Sequence, residues 1–174
     1  FFFFLVFLFC ILDKFRSLCI YFLLHCELGV VGGGIWGKNH IRTLYELGAL
    51  GGIVDSNKQV LCSYTEKYLD VMTYQYLDDA LKNNDFAGFI IATPAATHFE
   101  LAKKVIEHKK HILVEKPFTL RIVHAEELVQ LAGENNINLT VVGPEAYLVN
   151  GVVDVLEDAG FYVFGPRKAG AEFE

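Results

Sequence analysis

From Leu28 onward, short apolar runs alternate with segments whose apolar residues recur every three or four positions. The short runs predict β-strands near 28–32, 51–55, 71–74, 87–92, 111–115, 138–142 and 161–164. The segments between them predict helices near 36–47, 57–68, 77–83, 96–108, 119–135 and 148–159. Phe89-Ile90-Ile91 and Ile112-Leu113-Val114 are unbroken apolar stretches, as expected for strands covered on both faces. The alternation predicts an α/β fold: a parallel sheet with helices on each side.

Residues 1–27 follow another pattern. Phe1 to Leu12 is one apolar run, Asp13, Lys14 and Arg16 interrupt it, and Leu18 to Leu24 is a second run. The first run has 12 residues, short of the roughly 20 that span a bilayer as a helix. Three readings of this apolar, helix-like leader stand: a membrane anchor, a degenerate signal segment, or translated sequence upstream of the true start. The absence of an initiating Met and the phenylalanine homopolymer favour the third. The leader is expected to be dispensable for folding.

The run Leu28 to Val31 ends in Gly32-Gly33-Gly34-Ile35-Trp36-Gly37, and Ile41, Leu44 and Leu47 follow at helical spacing. Strand, glycine turn and helix in that order form a dinucleotide-binding fingerprint. Gly32 suits the tight turn, Gly34 the close approach of a pyrophosphate, and Gly37 the packing of helix on strand. The helix N-terminus offers N–H groups and a partial positive charge to phosphates. Alone this pattern is weak, since glycine-rich turns are common. Ile53-Val54-Asp55 strengthens it, because an acid closes the next strand 18 residues after Gly37. Asp55 can accept hydrogen bonds from a ribose 2′-OH, and its charge would repel a 2′-phosphate. The fold expected is therefore a Rossmann-like doubly wound parallel sheet, and the cofactor NAD.

Composition narrows the partners. The net charge is −6 with no basic patch, which argues against nucleic acid. Cys10, Cys19, Cys26 and Cys62 form no CxxC pair, so neither a disulfide framework nor a zinc site is expected. Reduced thiols and a cytoplasmic location are the default, with a membrane location only if 1–27 is an anchor.

Further chemistry falls at strand ends, where ligands bind in this architecture. Ala92-Thr93-Pro94 is followed by Thr97, a helix N-cap candidate, and by His98 in the first turn. His98 reads equally as a group at the cofactor crevice or as a solvated histidine. Glu115-Lys116-Pro117 places a carboxylate beside an ammonium, suited to ribose binding, substrate orientation or proton transfer. It reads equally as a surface ion pair before a proline turn.

Together, Gly32 to Gly37, Asp55, Ala92-Thr93-Pro94 with His98, and Glu115-Lys116-Pro117 resemble the N-terminal domain of the Gfo/Idh/MocA oxidoreductase family over about residues 28–130. Gly34-Ile35-Trp36-Gly37-Lys38-Asn39 is similar to its nucleotide-sugar branch, the UDP-N-acetyl-hexosamine 3-dehydrogenases. The resemblance implies cofactor binding by Gly32, Gly34, Ile35, Trp36, Gly37, Asp55, Thr93, Pro94 and Glu115. It implies catalytic roles for Lys116 and His98, no metal, and a nucleotide-sugar as partner. Glu115 would contact the nicotinamide ribose, beside a Lys–Pro bond that is often cis, and Lys116 would lie near substrate and nicotinamide.

Residues 128–174 resemble a different family. Asn138 to Ala146, Leu148-Val149, Gly151 to Asp154, Phe164-Gly165-Pro166, Lys168-Ala169 and Glu172-Phe173-Glu174 are similar to the N-terminal domain of phosphoribosylamine–glycine ligase, with Tyr147 where that family has proline. The helix from Glu126 to Ala132 fits both families, so a join there leaves no mark in the pattern. The reading is of three parts: the leader 1–27, the dinucleotide unit 28–130, and a segment 131–174 that continues the same sheet. Such a mosaic lacks a substrate domain and an ATP-grasp lobe. It is expected to bind NAD(H) without hydride transfer, or else to be a ligase fragment or an inactive interaction remnant.

Overall fold

A computed structural model describes residues 27–137 and Asp158. In chain order the elements are β1 (Glu27–Val31), α1 (Gly37–Glu46), β2 (Leu50–Val54), α2 (Lys58–Lys67), β3 (Met72–Tyr74) and α3 (Leu77–Ala80). There follow β4 (Phe86–Ile91), a 3-10 turn (Ala95–Thr97), α4 (His98–Glu107), β5 (His111–Val114) and α5 (Ile122–Glu134). The expected strands at 138–142 and 161–164, the helix at 148–159 and the leader lie outside the described residues.

The strands form one sheet in the order β3-β2-β1-β4-β5, and every pairing is parallel. Alternation along each strand sends successive side chains to opposite faces. Leu28, Val30, Ile53, Ile90 and Leu113 pack with Ile41 and Leu44 of α1 and Leu61 of α2. Val31, Val54, Phe89, Ile91, Ile112 and Val114 pack with Ala102 and Val105 of α4 and Leu128 and Ala132 of α5. The chain winds outward from β1 to β3, then crosses back to β4 on the other side of β1. The order therefore reverses between β1 and β4, which is where an open α/β sheet leaves a crevice at its carboxyl edge.

The expected limits shift where side chains compete with the backbone. α3 ends at Ala80 instead of 83, where Asn83 Oδ1 accepts the Asp85 N–H at 3.0 Å and turns the chain. α5 begins at Ile122 instead of 119, after Thr119 Oγ1 donates to the Arg121 carbonyl at 2.9 Å. Thr97 holds the N-cap position of α4, but its hydroxyl bonds to Pro94 O and Thr93 Oγ1 instead of capping.

Phe89 is fully buried, 5.0 Å from the Phe86 ring centroid and against the backbone of Gly29. Phe89→Ala is expected to cost about 3–5 kcal/mol. Leu69→Ala, at a side chain 87% exposed, is expected to stay within about 0.5 kcal/mol of wild type. Urea unfolding of both variants checks the pair, and similar losses would contradict this core.

Candidate functional site

The turn after β1 shows why glycine is required there. Gly32 has φ +96°, and a Cβ at that residue would lie 2.8 Å from the Ala92 carbonyl oxygen at the end of β4. A Cβ on Gly37 would overlap the Gly32 carbonyl, so α1 sits directly against the turn. Around a Cβ built on Gly34 there is no atom within 4 Å. The middle of the turn is open while both its ends are closed by backbone.

Gly33 is held on both sides. Its N–H donates to Asp55 Oδ2 at 2.8 Å, and its carbonyl accepts from the Tyr64 hydroxyl at 2.7 Å. Asp55 Oδ1 also accepts the Asn57 N–H at 2.8 Å. Burial, with Tyr68 and Asp55 nearby, raises the Tyr64 phenol, so it remains the donor.

A cleft of about 550 Å³ opens at the carboxyl edge where the strand order reverses. Gly32, Gly34, Asp55, Thr93, Pro94 and Thr97 line it. Gln75 and Tyr76 from the end of β3, and Lys104 of α4, close its far side. Lys104 is itself paired with Asp78 at 2.7 Å. The room beside Gly34, the helix N-terminus of α1 and the Asp55 carboxylate fit a dinucleotide.

Glu115-Lys116-Pro117 follows β5 and forms a second cluster. Glu115 Oε1 meets His40 Nε2 of α1 at 2.5 Å, and its Oε2 accepts the Lys116 N–H at 3.2 Å. The His40 hydrogen bond holds the Glu115 carboxyl below the usual carboxylate range, against the opposing effect of burial. Lys116 is exposed, with Nζ 5.9 Å from the ring centroid of Trp36. The Lys116–Pro117 bond is cis, as the family resemblance implies.

Of the expected cofactor residues, Gly32, Gly34, Asp55, Thr93 and Pro94 share the cleft. Gly37 lies beneath the turn, and Ile35 and Trp36 project from it, 76% and 59% exposed. Glu115 and Lys116 sit on the neighbouring strand end, beside Trp36 and not on the cleft wall. His98 is not a solvated first-turn histidine: it is buried, with its two ring nitrogens against the Thr93 and Pro117 carbonyls. His40, Tyr64, Gln75, Tyr76 and Lys104 belong to the site and were not singled out from sequence. Gln75 and Tyr76 had a signal, since they follow a strand. Among the described residues, no group of three or more His, Cys, Asp or Glu could hold a metal ion, and no helix is long and apolar enough to cross a membrane.

An open parallel sheet with a glycine turn at its reversal point and an acid after the neighbouring strand defines a dinucleotide-binding Rossmann domain. A family model described as "Oxidoreductase family, NAD-binding Rossmann fold" matches residues 26–142. The chain belongs to the Gfo/Idh/MocA oxidoreductase family and carries its NAD-binding domain. The UDP-N-acetylglucosamine 3-dehydrogenase of Acidithiobacillus ferrooxidans is 29% identical over 150 residues, which are 86% of this chain and 46% of that enzyme. The WlbA dehydrogenase of Bordetella pertussis, solved with NADH and UDP-GlcNAcA, superposes with TM-score 0.62 at 28% identity, over 67% of this chain and 34% of that one. The phosphoribosylamine–glycine ligase of Clostridium acetobutylicum is 55% identical over 49 residues, 28% of this chain and 12% of that enzyme. The chain thus spans under half the length of each of these relatives.

His40→Ala tests the second cluster. A carboxyl depressed in the folded state stabilises above its unfolded value, and that contribution is lost as pH falls through the folded value. Removing His40 returns Glu115 toward the ordinary range. The variant is expected to lose about 1 kcal/mol near neutral pH and progressively less at about pH 3. Denaturant melts at both pH values check this, and a deficit independent of pH would refute the pairing.

Proposed function

We propose that this chain is the cofactor-binding part of a nucleotide-sugar dehydrogenase that prefers NAD(H) to NADP(H). The observation that carries the cofactor preference is Asp55. It follows β2 and lines the cleft with Gly34, and its negative charge would repel a ribose 2′-phosphate. Gly34 and the first turn of α1 would take the pyrophosphate, Asp55 the adenosine ribose, and Thr93-Pro94 the wall between them. Glu115 would hold the nicotinamide ribose. When bound, the nicotinamide accepts or returns a hydride.

The substrate class is supported by the Acidithiobacillus and Bordetella relatives, whose names and ligands are nucleotide-sugars. We assign Lys116 to serve it; its exposed ammonium over Trp36 supports that reading. An ammonium there can orient a sugar hydroxyl or move its proton. The cysteine pattern supports a cytoplasmic location. A second reading rests on the 55% identity to the Clostridium ligase over 49 residues. ATP hydrolysis dependent on glycine and phosphoribosylamine would favour it.

Calorimetric titration with NAD(H) and NADP(H) tests the first reading, and equal or tighter NADP(H) binding would sink it. Asp55→Ala is expected to cut the preference by about tenfold, equivalent to about 1.4 kcal/mol. It should also weaken NAD(H) itself, because the Gly33 N–H loses its acceptor. Nicotinamide reduction with UDP-sugars, followed by absorbance, is expected to give no measurable rate with residues 1–174 alone, and a rate lost in Lys116→Met would overturn that expectation. A rate unchanged by that substitution would remove Lys116 from the chemistry.

A further inference from the structure

The Tyr64 hydroxyl of α2 donates to the Gly33 carbonyl at 2.7 Å. In a trans peptide the carbonyl and the next N–H share one plane and point in opposite directions. A donor that fixes the Gly33 carbonyl therefore also fixes the Gly34 N–H, and turns it away from α2. Among the described residues no atom accepts that N–H. Gly34 lines the cleft and Tyr64 does not. A Cβ built on Gly34 would meet nothing within 4 Å, so a ligand can approach the amide closely. We propose that Tyr64 is a positioning residue. Its hydroxyl aims the Gly34 N–H into the cleft, where that N–H donates to the pyrophosphate of the dinucleotide.

The peptide between Gly33 and Gly34 needs such a hold. Glycine stands on both sides of it, so neither flanking residue resists a change of peptide orientation. Tyr64 is itself restrained. Its ring stacks on that of Tyr68, with centroids 6.1 Å apart and planes 16° apart, and Tyr68 is buried against Tyr45. The start of α2 is tied to the same turn by a second route. The Gly33 N–H donates to Asp55 Oδ2 and the Asn57 N–H to Asp55 Oδ1, each at 2.8 Å. Asn57 Oδ1 caps α2 by accepting the Gln59 N–H at 2.9 Å. The hydrogen bonds thus run from Gly33 to Asp55, on to the cap of α2, and back through Tyr64 to Gly33. Asp55 fixes the peptide before Gly33, and Tyr64 fixes the peptide after it. An amide oriented in advance loses less freedom when an anion binds it. An anion on the Gly34 N–H would also polarise the peptide and strengthen the bond from Tyr64. Tyr64 is not on the cleft wall, so its effect on a ligand runs through this peptide.

This assignment rests on the cleft being a dinucleotide site, and the experiment separates the two. Wild type and Tyr64→Phe, each as the full chain with nitrogen-15 in the backbone, are titrated with NADH, ADP and adenosine while the amide signals are followed. The substitution removes the hydroxyl and keeps the ring. NADH and ADP are expected to bind Tyr64→Phe about tenfold more weakly than wild type, while adenosine, which has no phosphate, treats the two proteins alike. Unchanged binding of NADH and ADP overturns the positioning role, and so does a loss that adenosine shares, since that marks general support of the fold. The Gly34 amide of wild type is expected to move as ADP binds, and a fixed Gly34 signal overturns its role as donor. Should Tyr64→Phe not fold, wild type carrying carbon-13 at the tyrosine Cζ is titrated with ADP. A Tyr64 signal that moves together with the Gly34 amide supports the tie, and a fixed one overturns it. If wild type binds neither NADH nor ADP, the cofactor reading fails and the role of Tyr64 falls with it. If wild type binds both and Tyr64→Phe matches it, the role of Tyr64 alone fails.

Discussion

One residue, Gly33, governs the turn between β1 and α1. The Gly33 N–H is held by the carboxylate that closes β2, and the Gly33 carbonyl by a phenol from α2. Those two bonds fix the path of the chain between β1 and α1, and with it the direction in which the first amides of α1 point. The Tyr64 ring and Val60 occupy the space a Cβ would need at Gly33, so the hold is steric as well as polar. Asp55 consequently has a structural duty beside the ribose contact proposed for it. A site arranged this way meets its ligand already ordered, which lowers the entropy lost on binding.

The second cluster repeats the principle at the end of β5. His40 reaches Glu115 from one face of the sheet, and His98 reaches the Pro117 carbonyl from the other. Both residues that flank Lys116 are therefore restrained while its own side chain extends toward Trp36. A flexible four-carbon stem on a restrained base suits the role proposed for Lys116, between a substrate and a cofactor.

The fold was legible because its signals are local. Apolar runs such as Phe89-Ile90-Ile91 need no partner to be read as buried strands, and the glycine turn and Asp55 belong to one strand–helix–strand unit. What was missed joins distant positions. His40 and Glu115 are 75 residues apart, Gly33 and Tyr64 are 31 apart, and His98 and Pro117 are 19 apart. No periodicity relates such residues; they meet because parallel strands bring successive carboxyl ends to one edge. His98 was noticed for its position after a strand, yet position could not reveal that two carbonyls enclose its ring.

Trp36 carries a consequence of another kind. It is the single tryptophan of the chain, it stands largely exposed on the glycine turn, and a lysine ammonium lies over its ring. Indole emission responds to polarity and to nearby charge, and a reduced nicotinamide absorbs in the region where indole emits. The turn that would cradle a pyrophosphate therefore contains its own optical probe, with no second indole to blur the signal. Occupancy of this cleft can be followed by light in the unlabelled protein, in real time and at low concentration.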